Sequence, residues 1–464
     1  MSTTTELLLA AGLPSADTAR LTVLRTAPGG ELDRDWAALR PGLAAAGELL
    51  RRLPPRPRRS AAEQAAASSL LAEGRAARDA FLRRHAGAVY GRLTAGRTRL
   101  LRMVELAWEA AREYPGLVPT EAEVREEQRS PQMEQDGRQI DQGLFFSHVL
   151  ADRASGLHLL HAMTRPTPAA LDLLPRLRQE GRVELPCATL ERQGRTGRIT
   201  FHHQAWLNAE DDESEETLEV LADLVLLDED LDVGVLRGAP MTKAKYAGRR
   251  IFGAGINLTQ LYHGRISLVR FMLQREAGAL AKIYRGLSGP EVDDGDLEDR
   301  LEKPFIGAVD GFAIGGHCQL LLVLDRVIAQ RDAYFNLPAR KEGIIPGVAN
   351  LRMPRFLGEK ATRQGIFFNR DFPADSPAGA LLVDEVVDGE AAMEAAIARS
   401  AAEITSAGVT SLVANRRALR VGAEPVDLFR RYLATYAREQ AWCMYSPALI
   451  DNLVRNWNAH QRRI

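Results

Sequence analysis

Between about residues 183 and 395 the chain alternates short apolar runs with helical patterns, and two of those runs end in glycine turns. The first turn lies in RRIFGAGINL (residues 249–258) and the second in EKPFIGAVDGFAIGGHCQL (residues 302–320). Short strands separated by helices form a largely parallel sheet, so this segment is expected to be an α/β domain. Ahead of the turns, ATLERQGRTGRITFH carries two extended runs around Gly194–Arg195–Thr196–Gly197, the pattern of a hairpin. A helical pattern over residues 214–227 then feeds the apolar segment VGVLRG. Glycine lets a ligand approach the backbone closely, and an N–H at the start of a following helix is free to donate. Two such turns can aim two N–H donors at one oxygen, which is what an enolate or a tetrahedral oxyanion needs. Neither turn completes GxGxxG with the spacing of a dinucleotide site, and no GxxxxGK[ST] loop occurs, which disfavours NAD and ATP.

A length of 464 residues exceeds one ordinary domain, and three units are expected. Residues 1–182 form a helical N-terminal domain, 183–395 the α/β core, and 396–464 a helical region for oligomerisation and capping of the active site. The first unit is rich in Ala, Leu, Arg and Glu at helical spacing, as in LLRMVELAWEAAREY (residues 100–114). RRLPPRPRRS (residues 51–60) interrupts it with three prolines among arginines and reads as a basic loop rather than a phosphate site. Lys plus Arg number 60 against 61 for Asp plus Glu, so no global field favours nucleic acid or an anionic membrane. Three cysteines without a CxxC pair argue against a disulfide scaffold or a cysteine-rich zinc site. The apolar run from Leu7 follows Glu6 and has no basic lead, and no apolar stretch is long enough to span a bilayer. A cytoplasmic protein is expected.

The Leu207–Asn208–Ala209 triplet, GAGINL, KPFIGAVDGFAIGGHCQL and EGIIPGVANLRMPRFLG occur in an order that resembles the crotonase (enoyl-CoA hydratase/isomerase) superfamily over roughly residues 183–395. The resemblance implies a core of stacked ββα units with helical extensions, assembled as a trimer or hexamer. It assigns oxyanion-hole N–H groups to Ile256 and Gly316, and coenzyme A binding to Lys243, Lys245, Ala254, Gly255, Asn257, Leu258 and Thr259. Hydratases resemble this chain at both later motifs but carry glutamates where it has Gln319 and Ala339. An amide accepts no proton and a methyl group has nothing to offer, so hydration is not expected.

The long helical extension, AEDDESEETL, GAGINLTQLYHGRIS, FMLQREAGA and GGHCQ look like the cofactor-independent oxygenating members of that superfamily. This implies conversion of 3,5-dihydroxyphenylacetyl-CoA and O₂ to 3,5-dihydroxyphenylglyoxylate and CoA, for antibiotic precursor biosynthesis, without metal, haem or flavin. It places Glu210, Arg275 and Gln319 around the aryl ring and the oxygenated carbon. Outside that resemblance Ile256 reads as core, Arg275 and Glu210 as ion-pair residues, and Gln319 as a satisfied buried amide. The competing functions are another crotonase-type reaction on an aryl acyl-CoA, such as thioester hydrolysis or isomerisation, and a non-catalytic CoA- or RNA-binding scaffold. The near-zero net charge and the lack of an aromatic–basic patch weigh against RNA. His317–Cys318, beside the second turn, reads as packing rather than a nucleophilic dyad.

Overall fold

The computed structural model describes residues 3–14, 19–290, 300–406 and 408–462. Twelve strands are present among them: β1 (Arg182–Glu184), β2 (Ala188–Gln193), β3 (Thr196–Phe201), β4 (Val233–Gly238), β5 (Leu287–Ser288) and β6 (Arg300–Leu301) come first. β7 (Phe305–Val309), β8 (Phe312–Ile314), β9 (Arg326–Gln330), β10 (Tyr334–Asn336), β11 (Phe372–Pro373) and β12 (Glu385–Val387) follow. Seven of them form the main sheet in the order β1-β2-β3-β4-β7-β9-β12. The β2–β3 hairpin turns at Gly194, whose φ is +61°, a value glycine adopts without strain. From β3 onward every neighbour in this sheet is parallel. Parallel pairing demands a crossover, which the helix Asp212–Leu227 supplies between β3 and β4.

The central strands β4 and β7 are buried along their whole length, which is why VGVLRG and FIGAV read as continuous apolar runs. Alternation divides their side chains between two cores. Leu236, Phe305 and Val309 meet the helices Asp212–Leu227 and Ala279–Arg285 on one face. Val233, Val235, Ile306 and Ala308 meet Met393, Ala396 and Ile397 of the helix Glu390–Ser406 on the other. A smaller sheet, β11-β10-β8, stands beside the main one and carries the second glycine turn at the end of β8.

The helical N-terminal region starts its longest helix, Ala61–Leu93, with a reciprocal cap between Ser60 and Glu63. The proline-broken basic segment before it is docked rather than loose. Arg59 pairs with Asp136 at 2.6 and 2.8 Å, and Arg56 donates to the Gln135 carbonyl. The helix Gln139–Ala151 lies against Val426–Met444 so closely that a Cβ on Gly143 would sit 2.4 Å from Ala441 Cβ. One apolar core therefore takes side chains from both ends of the chain, such as Leu43, Phe81, Phe145, Phe429 and Leu449, together with Ile256 and Phe271. Among the described residues no helix is long and apolar enough to cross a membrane.

Candidate active site

The two glycine turns meet. The first follows Leu207 and Asn208, both held at positive φ, and Asn208 Nδ2 donates to the Ile251 carbonyl at 2.8 Å. Glu210 N–H donates to Gly255 O, and Asn257 N–H donates to Glu210 O, each at 2.7 Å. Asn257 then caps the helix Leu258–Tyr262 by accepting from Gln260 N–H. At the second turn Gly315 has φ +56° and leads into the helix Gly316–Leu321. A Cβ on Gly315 would lie 3.2 Å from Gly255 Cα and 3.8 Å from Ile256 N, so the turns are in backbone contact. A Cβ on Gly316 would stand 1.5 Å from Glu210 Oε2, and only glycine fits there. Neither the Ile256 nor the Gly316 N–H has a hydrogen-bond partner among the described residues, and both residues border one cavity. Two uncommitted donors on one wall can stabilise an oxygen as it gains negative charge.

The charged part of the site comes from a distorted helix. A π-helical segment, Leu268–Leu273, precedes Gln274–Ala277 and changes the register in which Met272, Arg275 and Glu276 reach the cavity. Arg275 is buried and anchors the polar wall. Its Nη2 donates to Glu210 Oε1 at 2.8 Å and to the Gly316 carbonyl at 2.7 Å. Its Nη1 donates to Glu276 Oε1 at 2.7 Å and to Gln319 Oε1 at 3.0 Å. Glu215 stands 3.4 Å from Arg275 Nε. One guanidinium thus faces three carboxyl groups. Burial pushes the Glu215 carboxyl well above the usual carboxylate range, against the pull of Arg275. Gln319 turns its oxygen to Arg275, which leaves the Nε2 donor uncommitted among the described residues.

Two spaces join here. The inner cavity is bordered by Glu210, Arg275, Gly316, Gln319 and Ala339, with Phe271, Met272, Ile344 and Ile345 as apolar walls. The outer cleft opens to solvent and is bordered by Lys243, Lys245, Ala254, Asn257, Leu258 and Thr259. Ile256 and Glu342 border both, so they mark the junction. Gly255 borders neither space; it contributes its carbonyl to Glu210 N–H. The structure therefore gathers the expected site residues into one continuous groove, with the charged group inside and the lysines at the mouth.

Sequence reasoning missed several neighbours. Glu276 and Glu342 lie inside quoted motifs, but what singles them out is burial, which the motif does not display. Glu342 is 3% exposed, and its carboxyl is pushed up to about 8 chiefly by burial. Tyr436 reaches the inner cavity from Val426–Met444, and Trp457 and Arg462 reach the cleft from the last helical segments. No local signal announces these three. Lys341 lies over the Trp457 ring at 5.1 Å and adds another cation to the cleft. His317 is buried between Phe201 and Phe252, and its ring is what a Cβ on Gly253 would strike. The neighbouring Cys318 thiol is pushed up to about 12 by burial, so it is no thiolate near neutral pH. Among the described residues no group of three or more His, Cys, Asp or Glu side chains is placed to hold a metal ion.

A family model for enoyl-CoA hydratase/isomerase matches residues 198–432, half of the chain. The chain belongs to the enoyl-CoA hydratase/isomerase family. It is similar over 420 residues, at 47% identity, to the (3,5-dihydroxyphenyl)acetyl-CoA 1,2-dioxygenase of Amycolatopsis orientalis; the match covers 90% of this chain and 95% of that protein. Similarity to the short-chain-enoyl-CoA hydratase of Clostridium acetobutylicum is lower, 28% over 216 residues, covering 46% of this chain and 74% of the hydratase. A solved enoyl-CoA hydratase from Bacillus halodurans aligns with a TM-score of 0.49 at 18% identity, over 58% of this chain and 99% of that structure. Membership of the enoyl-CoA hydratase/isomerase family accounts for the paired glycine turns. The hydratase match spans less than half of this chain, whereas the dioxygenase match spans nine-tenths of it.

Proposed function

We propose that this enoyl-CoA hydratase/isomerase family member is a dioxygenase that converts 3,5-dihydroxyphenylacetyl-CoA and O₂ to 3,5-dihydroxyphenylglyoxylate and CoA. One observation carries the reading: the 47% identity to the named dioxygenase extends through 90% of the chain, helical regions included. In this reading the thioester oxygen lies against the Ile256 and Gly316 N–H groups, which form an oxyanion hole. Each such donor is worth about 3–4 kcal/mol to a developing oxyanion in comparable sites. The α-hydrogens of an aryl acetyl thioester are acidic because carbonyl and ring both delocalise the carbanion, and the electron-rich enolate reduces O₂ itself. Both oxygen atoms stay in the product, one on the α-carbon and one in the carboxylate, while the C–S bond breaks and CoA leaves as the thiol. No metal, haem or flavin is required in this scheme.

Arg275, Glu210 and Gln319 supply polar contacts for the hydroxylated ring and the reacting carbon. Lys243, Lys245 and Lys341 at the cleft suit the phosphates of coenzyme A. The apolar walls beside Ile344 and Ile345 suit O₂ and keep water from a peroxide. A cytoplasmic trimer or hexamer completes the reading. Glu342 favours one competitor, thioester hydrolysis, because a buried carboxyl beside the carbonyl can activate water. Chelator-treated, metal-analysed protein given 3,5-dihydroxyphenylacetyl-CoA separates the two when dissolved O₂ and free thiol are followed together. One O₂ per thiol is expected; thiol release without O₂ uptake makes the protein a hydrolase.

A further inference from the structure

Building on the enolate reading just given, we propose that Glu342 is the base that removes the α-proton of the bound aryl acetyl thioester. Its position is the first ground. A thioester whose acyl group fills the inner cavity and whose pantetheine arm lies in the cleft has its carbonyl at the junction of the two. Ile256 and Glu342 are the residues that border both spaces. The N–H that receives the thioester oxygen and the carboxyl that receives the adjacent proton therefore sit at one place along the groove.

The second ground is availability. The titratable groups on the inner cavity are Glu210, Arg275, Glu276, Glu342 and Tyr436. Glu210 and Glu276 both accept hydrogen bonds from Arg275, and their second oxygens are buried without partners. Each of these two carboxylates is already engaged by the guanidinium. Glu215, the third carboxyl around Arg275, does not border the cavity. Tyr436 is buried, and its hydroxyl is pushed far above the ordinary phenol range. Glu342 alone among these carboxyls has no side-chain hydrogen bond within the described residues and is not sealed away.

The fold also fixes where Glu342 points from. It ends the short helix Ala339–Glu342, and Gly343 follows at φ +91°, packed so that a Cβ there would meet Leu449 Cα at 2.9 Å. Burial, opposed by Lys341 and reinforced by Glu210, pushes the carboxyl up to about 8 and makes its ionised form a stronger base than an ordinary glutamate. In the step itself the C–H bond breaks, its electron pair enters the enolate held by Ile256 and Gly316, and the proton forms an O–H bond on Glu342.

Anaerobic exchange of the α-hydrogens with D₂O isolates this step from oxygen chemistry. The wild-type protein should exchange the α-hydrogens of 3,5-dihydroxyphenylacetyl-CoA at a rate that rises with pH and levels off above about 8. Glu342→Gln should slow exchange on the order of 100-fold or more, lose the pH profile and keep the wild-type Kd for the thioester. Glu342→Asp should recover part of the rate, which a purely structural role would not produce. Glu210→Gln is the comparator: it removes a charge that reinforces the Glu342 shift, so the profile should move to lower pH without being lost. Exchange by Glu342→Gln within about twofold of wild type overturns the assignment, as does loss of the profile in Glu210→Gln instead, or no exchange by the wild type. Wild-type exchange without aerobic O₂ uptake would sink the dioxygenase reading and leave Glu342 as the base.

Discussion

Two buried charge clusters lie side by side in this molecule with inverted stoichiometry. At the cavity one guanidinium, Arg275, faces three carboxyls, Glu210, Glu215 and Glu276. Behind it one carboxylate, Glu424, receives three guanidiniums, Arg285, Arg352 and Arg355, the first two at 3.0 Å. Arg352 links them, 4.0 Å from Glu276. A surplus of carboxyls can be relieved by binding a proton, the direction in which burial pushes Glu215. A surplus of guanidiniums cannot, because arginine stays charged. The second cluster is compensated by other means. Arg285 also donates to the Glu424 carbonyl at 2.6 Å, and Arg285 and Arg352 lie over the rings of Tyr284 and Phe429. The titratable cluster is at the cavity, and the permanently charged one secures the junction between the helices Thr410–Ala423 and Val426–Met444.

The difference can be broken by mutation. Arg275→Ala should have the largest effect, abolishing O₂ uptake and destabilising the fold by about 3–5 kcal/mol, the range for removing one partner of a buried pair. Glu215 is raised above its unfolded value, so its contribution is full below that value and is lost as pH rises through the folded one. The penalty of Arg275→Ala should therefore grow as pH rises above the ordinary carboxylate range, as read by denaturant titration at each pH. Glu424→Ala should cost a similar amount at neutral pH, but evenly across pH 6–9. The Glu424 carboxyl is held well below the ordinary range by its arginines, so its stabilisation is present above the unfolded value and lost only in strong acid. A Glu424→Ala penalty that changes steeply between pH 6 and 9 would break the contrast.

Gln319→Glu sharpens it by adding a fourth carboxyl to Arg275. O₂ uptake should fall roughly tenfold at pH 8, equivalent to about one unit of pKa displacement, and recover partly as pH is lowered. Smallest of all, removing the exposed Glu359–Arg363 pair by Glu359→Ala should leave the melting midpoint unchanged.

The parts legible in the sequence are those whose chemistry is local. Gly255, Gly315 and Gly316 announce themselves because close backbone approach requires glycine, and the β2–β3 hairpin because its turn does. The helix expected from Ser214 begins at Asp212, since Asp211 and Ser214 cap it reciprocally. Arg275 and Glu210 were singled out by family resemblance alone; as isolated residues they look like ordinary ion-pair partners. The π-helical segment has no sequence signature that sets it apart from an α-helix. Glu342 was in view within EGIIPG, yet its significance lies in lacking a partner while buried, a property of the assembled groove. Tyr436 and Trp457 reach that groove through packing between distant helices, and an amphipathic stripe does not name the surface it will cover.

The glycine contact between Gln139–Ala151 and Val426–Met444 also imposes an order on synthesis. The sheet and the helix Glu390–Ser406 are complete before Val426–Met444 is made, so the α/β core can close while the chain is still being translated. The N-terminal helices must wait for the later segment, because Phe429, Leu433, Ala437 and Leu449 fill the core they share. Part of their apolar surface gains its neighbour only when Val426–Met444 emerges, which makes an early part of the nascent chain dependent on a much later one.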